Sequence, residues 1–175
     1  MDEERSFWAL VTIVQEMMPA DYYASSMTGF HSDQVVFQAL IEQKLPDLAH
    51  HFKHIGMSTT HFSSQWFLCL YLRVLPFECA MRVWDVYWVQ GARAQGKILF
   101  NVGLALLCLH QKELLRADSV PEAAQILSRV DTSIDANRLI HIATTTCKVS
   151  TATLERMRSR ERLRSQTRTS PIATR

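Results

Sequence analysis

Residues 63–91 read SSQWFLCLYLRVLPFECAMRVWDVYWVQG. Arg73, Glu78, Arg82 and Asp85 stand there among Trp66, Phe67, Trp84, Tyr87 and Trp88, in a run too apolar for an ordinary surface helix. Pro76 divides the stretch, because a helix tolerates proline in its first turn and not in its interior. One helix capped by Ser63 or Ser64 is expected up to Leu75, and a second from Phe77 to Gln90, stopped by Gly91. On the second, Arg82 lies four residues after Glu78 and three before Asp85, so one arginine sits between two carboxylates on one face. With Met81, Val83, Trp84, Tyr87 and Trp88 over most of the remaining surface, the spacing predicts an enclosed network whose rupture costs about 3 to 5 kcal/mol.

Outward from this stretch the apolar residues continue to recur at three and four, with only five glycines and five prolines as punctuation, so the chain reads as all-α. Phe7, Leu10, Val11, Val14 and Met17/Met18 form a stripe that ends at Pro19. Ser32 can cap a helix burying Val36, Phe37, Leu40 and Ile41; Pro46 opens a short one that stops at Gly56. Residues 97–117 form the longest run, a central helix whose second half surfaces. Ser119 and Glu122 make a capping box, and helices over about 134–147 and 151–164 follow, capped by Ser133 and by Ser150 or Thr151.

A chain of 175 residues, 47% apolar and 21% charged, fits one globular domain. No uncharged stretch approaches the roughly 18 to 20 apolar residues of a transmembrane helix. The acidic start MDEERSFWAL is unlike a signal peptide, which points to a cytoplasmic protein. Cys69, Cys79, Cys108 and Cys147 lack C-x-x-C spacing and read as buried free thiols. The net charge of +2 conceals a balance of +6 from Lys148 onward, against −4 before it. That basic end reads as a solvated helix and a disordered tail over 165–175, with the charge for weak contact with an anionic surface.

The order of Gln65, Trp66, Phe67, Leu75, Pro76, Arg82, Trp84 and Asp85 resembles the W-F-L…L-P…R-x-W-D signature of the TBC domain, the all-helical domain of Rab GTPase-activating proteins. Flanking segments are similar too: residues 3–23 resemble the helix following that family's catalytic region, 33–57 the next two, and ILFNVGLALL the long helix after R-x-W-D. The resemblance covers roughly 1–117 as the C-terminal portion of the domain, with 118–164 as terminal helices. It implies a Rab-type small GTPase as protein partner, a place in vesicle traffic, a cytoplasmic location peripheral to endomembranes, and no cofactor, metal or nucleic acid. The signature residues are expected to be mainly structural.

An activator of this kind stabilises charge on the transferred phosphoryl group and orients water, an arginine finger being worth about 10³ to 10⁵ in rate. The resemblance places the family's two fingers, an arginine in I-x-x-D-x-x-R and a glutamine in Y-x-Q, upstream of the helix that begins this chain. Gln90 in WVQG follows R-x-W-D instead of preceding it, and Asp135/Arg138 lie on the wrong side as well. Asp2/Arg5 abut SFWAL with no room for the glutamine motif. The expectation is a chain without the catalytic half and without catalytic residues, whose faces toward that half, on residues 3–18 and the long helix, are exposed. The alternative is a non-catalytic module that binds a GTPase or another partner as a scaffold. An extra polar loop at Gly91 to Gly96 departs from the family pattern, by insertion or by a shifted splice boundary. His50 and His54 share a helix face, but with His51 and His61 they lack a carboxylate or cysteine placed to complete a metal site.

Overall fold

Proline and glycine set the helix ends most firmly where both flank one helix. The computed structural model describes residues 2–128 and 134–169, and among them ten α-helices and no strand. They are α1 (Glu3–Thr12), α2 (Thr28–Lys44), α3 (Pro46–Ile55), α4 (Thr60–Leu68), α5 (Phe77–Gln90), α6 (Lys97–Leu109), α7 (Gln111–Leu114), α8 (Val120–Ser128), α9 (Ala136–Thr144) and α10 (Thr151–Thr169). A π-helical turn, Ile13–Met17, continues α1, and a 3₁₀ turn, Ala92–Ala94, precedes α6. Pro46 and Gly56 bound α3 as expected, Gly56 at φ 75°, and Pro76 and Gly91 bound α5. No helix among the described residues is long and apolar enough to cross a membrane.

The core forms around α6, whose residues 98–107 are all buried, packed against α4, α5 and α9. Phe37 of α2, Phe67 of α4 and Phe100 of α6 meet at its centre, with ring centroids 5.0 to 6.1 Å apart. Each such ring contributes about 1.5 to 3 kcal/mol by leaving water. Gly103 permits this approach: a Cβ there would lie 2.7 Å from Phe37 and 2.8 Å from the Tyr71 hydroxyl. The long run expected over 97–117 is central as expected, but the exposed apolar face expected on it is absent, because neighbouring helices enclose residues 98–107 completely. It breaks at His110, and α7 carries the chain to the surface.

Several expected caps moved. α2 begins at Thr28, after Met27 in the left-handed region, so Ser32 lies inside the helix. α4 starts at Thr60 and stops at Leu68; Ser63 and Ser64 are internal, and their hydroxyls bond back to the carbonyls of Thr59 and Thr60. The helix does not reach Leu75 because Leu70 and Tyr71 adopt positive φ, a conformation costing of order 1 to 3 kcal/mol per non-glycine residue. Burial offsets that cost. Tyr71 enters the core and donates to the Leu99 carbonyl at 2.7 Å, and Trp84 Nε1 donates to the Leu70 carbonyl at 3.0 Å.

Toward the C-terminus, Glu122 accepts from the Asp118 backbone N–H, one residue earlier than the capping box predicted. Asp135 caps α9, accepting from the Asn137 and Arg138 N–H groups; Ser133, the expected cap, lies outside the described residues. Ser150 caps α10 as expected, and that helix runs on to Thr169 instead of ending near 164. Residues 170–175 of the expected tail also lie outside the described residues.

Candidate functional site

The signature residues divide between core and surface. Trp66 and Phe67 are fully buried, Trp66 against Phe62 and Tyr71, and Leu75 is buried behind Pro76. Trp84 is half-buried and serves the strained turn at Leu70. Gln65 is exposed on α4. Arg82 departs from the expectation: its side chain is 54% exposed, its partner Asp85 62% exposed, and the two meet at 3.2 Å. Its other guanidinium nitrogen donates to the Asn137 side chain of α9 at 3.3 Å. Glu78, expected as the second carboxylate, has no ion pair to Arg82, so the enclosed network is replaced by a surface link from α5 to α9. The helical spacing was right, but α5 turns this face outward because Cys79, Ala80, Val83 and Tyr87 take the inner one.

The enclosed arginine is Arg158, counted by sequence among the solvated basic residues. Its side chain is 4% exposed and that of Asp33 2%, and Nε and Nη2 make parallel bonds of 2.6 Å to the two carboxylate oxygens. Nη1 donates to the Gln95 carbonyl at 3.0 Å, and the guanidinium lies 5.4 Å from the centre of the Phe100 ring. One side chain thus joins α10 to α2, to the 91–96 loop and to α6. That extra loop is docked, with Ala94 buried. Burial pushes the Asp33 carboxyl above its ordinary range, and the hydrogen bonds and charge of Arg158 pull it back only in part. The sequence held one signal: Arg158 falls four residues after Leu154, on the apolar stripe of its helix.

The surface that invites a partner is α1. None of its residues is buried, and Phe7, Trp8 and Leu10 are each more than half exposed, Trp8 at 58%. The stripe predicted for residues 3–18 exists, but it is split. Ile13, Met17 and Met18 turn into the core and Val14 faces out with Phe7 and Leu10. The π turn packs against Ala92–Ala94, just beyond the end of α5, where Trp88 is partly exposed and Val89 is 88% exposed. Gln90, at the last position of α5, has its Oε1 buried without a hydrogen-bond partner among the described residues.

The decoy motifs have local roles. Asp2 caps α1 by accepting from the Arg5 N–H at 2.8 Å, as Asp135 caps α9, so both D-x-x-R matches are helix starts. His50 and His54 are exposed on α3; His51 turns inward to the Ala117 carbonyl at 2.9 Å, and His61 bonds Ser58. Cys79 and Cys147 are buried, Cys69 and Cys108 half-buried, all as free thiols.

Comparison with known proteins follows the same outline. The family model of the Rab-GTPase-TBC domain matches residues 1–115. Growth hormone-regulated TBC protein 1 of Homo sapiens is 39% identical over 121 residues, covering 69% of this chain and 34% of that protein. TBC1 domain family member 2A of Homo sapiens is 37% identical over 145 residues, 81% of this chain and 15% of that protein. The crystal structure of the Chlamydomonas flagellar RabGAP TBC domain superposes with a TM-score of 0.69 at 29% identity, over 81% of this chain and 46% of that one. The chain thus spans about a third of the length of the first of these relatives and less than half of the solved chain.

Proposed function

Since this chain belongs to the Rab-GTPase-TBC domain family, we propose that it is the C-terminal portion of a domain that activates GTP hydrolysis in a Rab-type small GTPase, in membrane traffic. Residues 1–117 form that portion and 118–164 complete it with terminal helices. The protein is a regulator of an enzyme rather than an enzyme, cytoplasmic and peripheral on endomembranes, its basic C-terminal segment making weak anionic contact. The observation that carries this reading is the apolar face of α1. Phe7, Trp8 and Leu10 are exposed on a helix that buries nothing, and Val14 is exposed on the turn that continues it, as expected of a helix whose partner is the finger-bearing part of the domain. Residues 1–175 supply neither finger motif, so these helices would support the fingers and not provide them.

The test is single-turnover GTP hydrolysis by GTP-loaded Rab proteins. With the 175-residue chain added, the rate stays near its intrinsic value; with the finger-bearing half of a related TBC domain joined ahead of Glu3, acceleration of about 10³ or more returns. Acceleration of about 10²-fold by the chain alone overturns the reading and directs attention to Gln90 and nearby arginines.

A further inference from the structure

We propose that the outward face of α10 docks on the surface of an anionic lipid bilayer, a proposal that rests on the peripheral-membrane part of the reading above. The structure sorts the basic residues of the C-terminal segment. Arg158 is internal, held by Asp33, and Arg162 lines a cleft of about 570 Å³ with the start of α2. Two residues along a helix is about 200° of rotation, so the residues two before and two after Arg158 point away from the protein. These are Arg156 and Arg160, and Arg164 follows one turn later; all three are exposed.

Between them Leu163 is 65% exposed. Val35 of α2, also exposed, borders the same edge with Arg160 and Arg164. One carboxylate, Glu161, lies at this edge beside Arg160 and Arg164, with its side chain turned mostly inward. Glu161 is largely buried, 4.0 Å from Arg164, and Glu155 adjoins Arg156 in sequence but not in direction. Guanidinium groups flanking an apolar side chain on an exposed helix face suit the headgroup layer, where arginines meet phosphates and leucine enters the acyl boundary. The exposed leucine among the arginines favours a bilayer over an acidic protein.

The experiment is cosedimentation of the 175-residue chain with phosphatidylcholine vesicles, with and without phosphatidylserine. Each basic residue near such a surface multiplies the partition constant by about five, so replacing Arg156, Arg160 and Arg164 together by Gln lowers it by on the order of 100-fold. Binding weakens with added salt as screening shortens its range. Leu163→Ser weakens it severalfold, and Arg93→Gln with Arg116→Gln leaves it unchanged. Melting curves of all variants establish that they fold. Equal binding to neutral and anionic vesicles would locate the contact at apolar α1 and overturn the proposal, as would a triple variant that binds like the parent. Loss on arginine substitution with no effect of Leu163→Ser, and full competition by polyglutamate, would assign the face to an acidic protein instead. The vesicles carry no GTPase and the hydrolysis assay no membrane, so either result leaves the other reading standing.

Discussion

Replacing Arg158 by alanine removes the largest electrostatic contact in the described fold. The substitution leaves the Asp33 carboxylate, 2% exposed, without its two 2.6 Å hydrogen bonds and takes the donor from the Gln95 carbonyl. An uncompensated buried charge costs about 3 to 5 kcal/mol. For a chain of this size each kcal/mol lowers the melting temperature by about 2 to 4 °C, so a fall of roughly 6 to 20 °C is expected, read by circular dichroism. Arg82→Ala is the matched control, because an exposed ion pair contributes about 0 to 1 kcal/mol and the melt should move by only a few degrees. Arg158→Lys recovers part of the loss, since an ammonium cannot make two parallel bonds to one carboxylate. Asp33→Leu with Arg158→Met removes both charges and should melt close to the parent chain, because an apolar pair of similar volume often equals a buried ion pair. Equal shifts of the melt in Arg158→Ala and Arg82→Ala would refute the greater energetic weight of the enclosed pair. A double replacement as destabilised as Arg158→Ala would refute it too, and that comparison holds even where the single variant does not fold.

Gly103→Ala drives a methyl group into Phe37 and Tyr71 and should cost about 1 to 3 kcal/mol in urea unfolding, whereas an unchanged midpoint would mean the α2–α6 contact is looser than described. Trp8→Asp together with Leu10→Asp should abolish binding of hydrophobic dyes and any self-association while leaving the melting temperature within a few degrees; persistence of dye binding would place the apolar patch elsewhere. Burial pushes the Tyr22 hydroxyl well above its ordinary range, with Asp33 adding to the shift, and burial does the same to Tyr71. Both stay neutral in the folded chain while the unfolded chain ionises near pH 10, so their contribution to stability is flat below about pH 10 and falls as pH rises beyond it. Tyr22→Phe, which removes a hydroxyl with no partner among the described residues, should hold or raise stability at pH 8 and make the alkaline fall shallower; an unchanged slope, followed by tyrosinate absorbance, counts against this assignment.

Helix class and several boundaries were legible in the sequence because they depend on neighbours within about four residues. Pro46 and Gly56, Pro76 and Gly91 act through their own backbone, and the apolar period of α2, α5 and α6 follows from 3.6 residues per turn. The order of Trp66, Phe67, Pro76, Arg82, Trp84 and Asp85 was enough to identify the family. Position relative to the rest of the fold was not local, and there the reading along the chain failed. Arg82 and Arg158 are both arginines on amphipathic helices. Which one is enclosed depends on Asp33, 125 residues from Arg158, and on which face of α5 the core claims. The stripe on residues 3–18 was expected to be exposed along its length, which holds for only part of it. Only packing showed that Ile13 and Met17 go in while Phe7, Leu10 and Val14 stay out. Period and capping are set along the chain, whereas burial, and with it the energetic weight of a charge, is set by residues that only tertiary structure brings together.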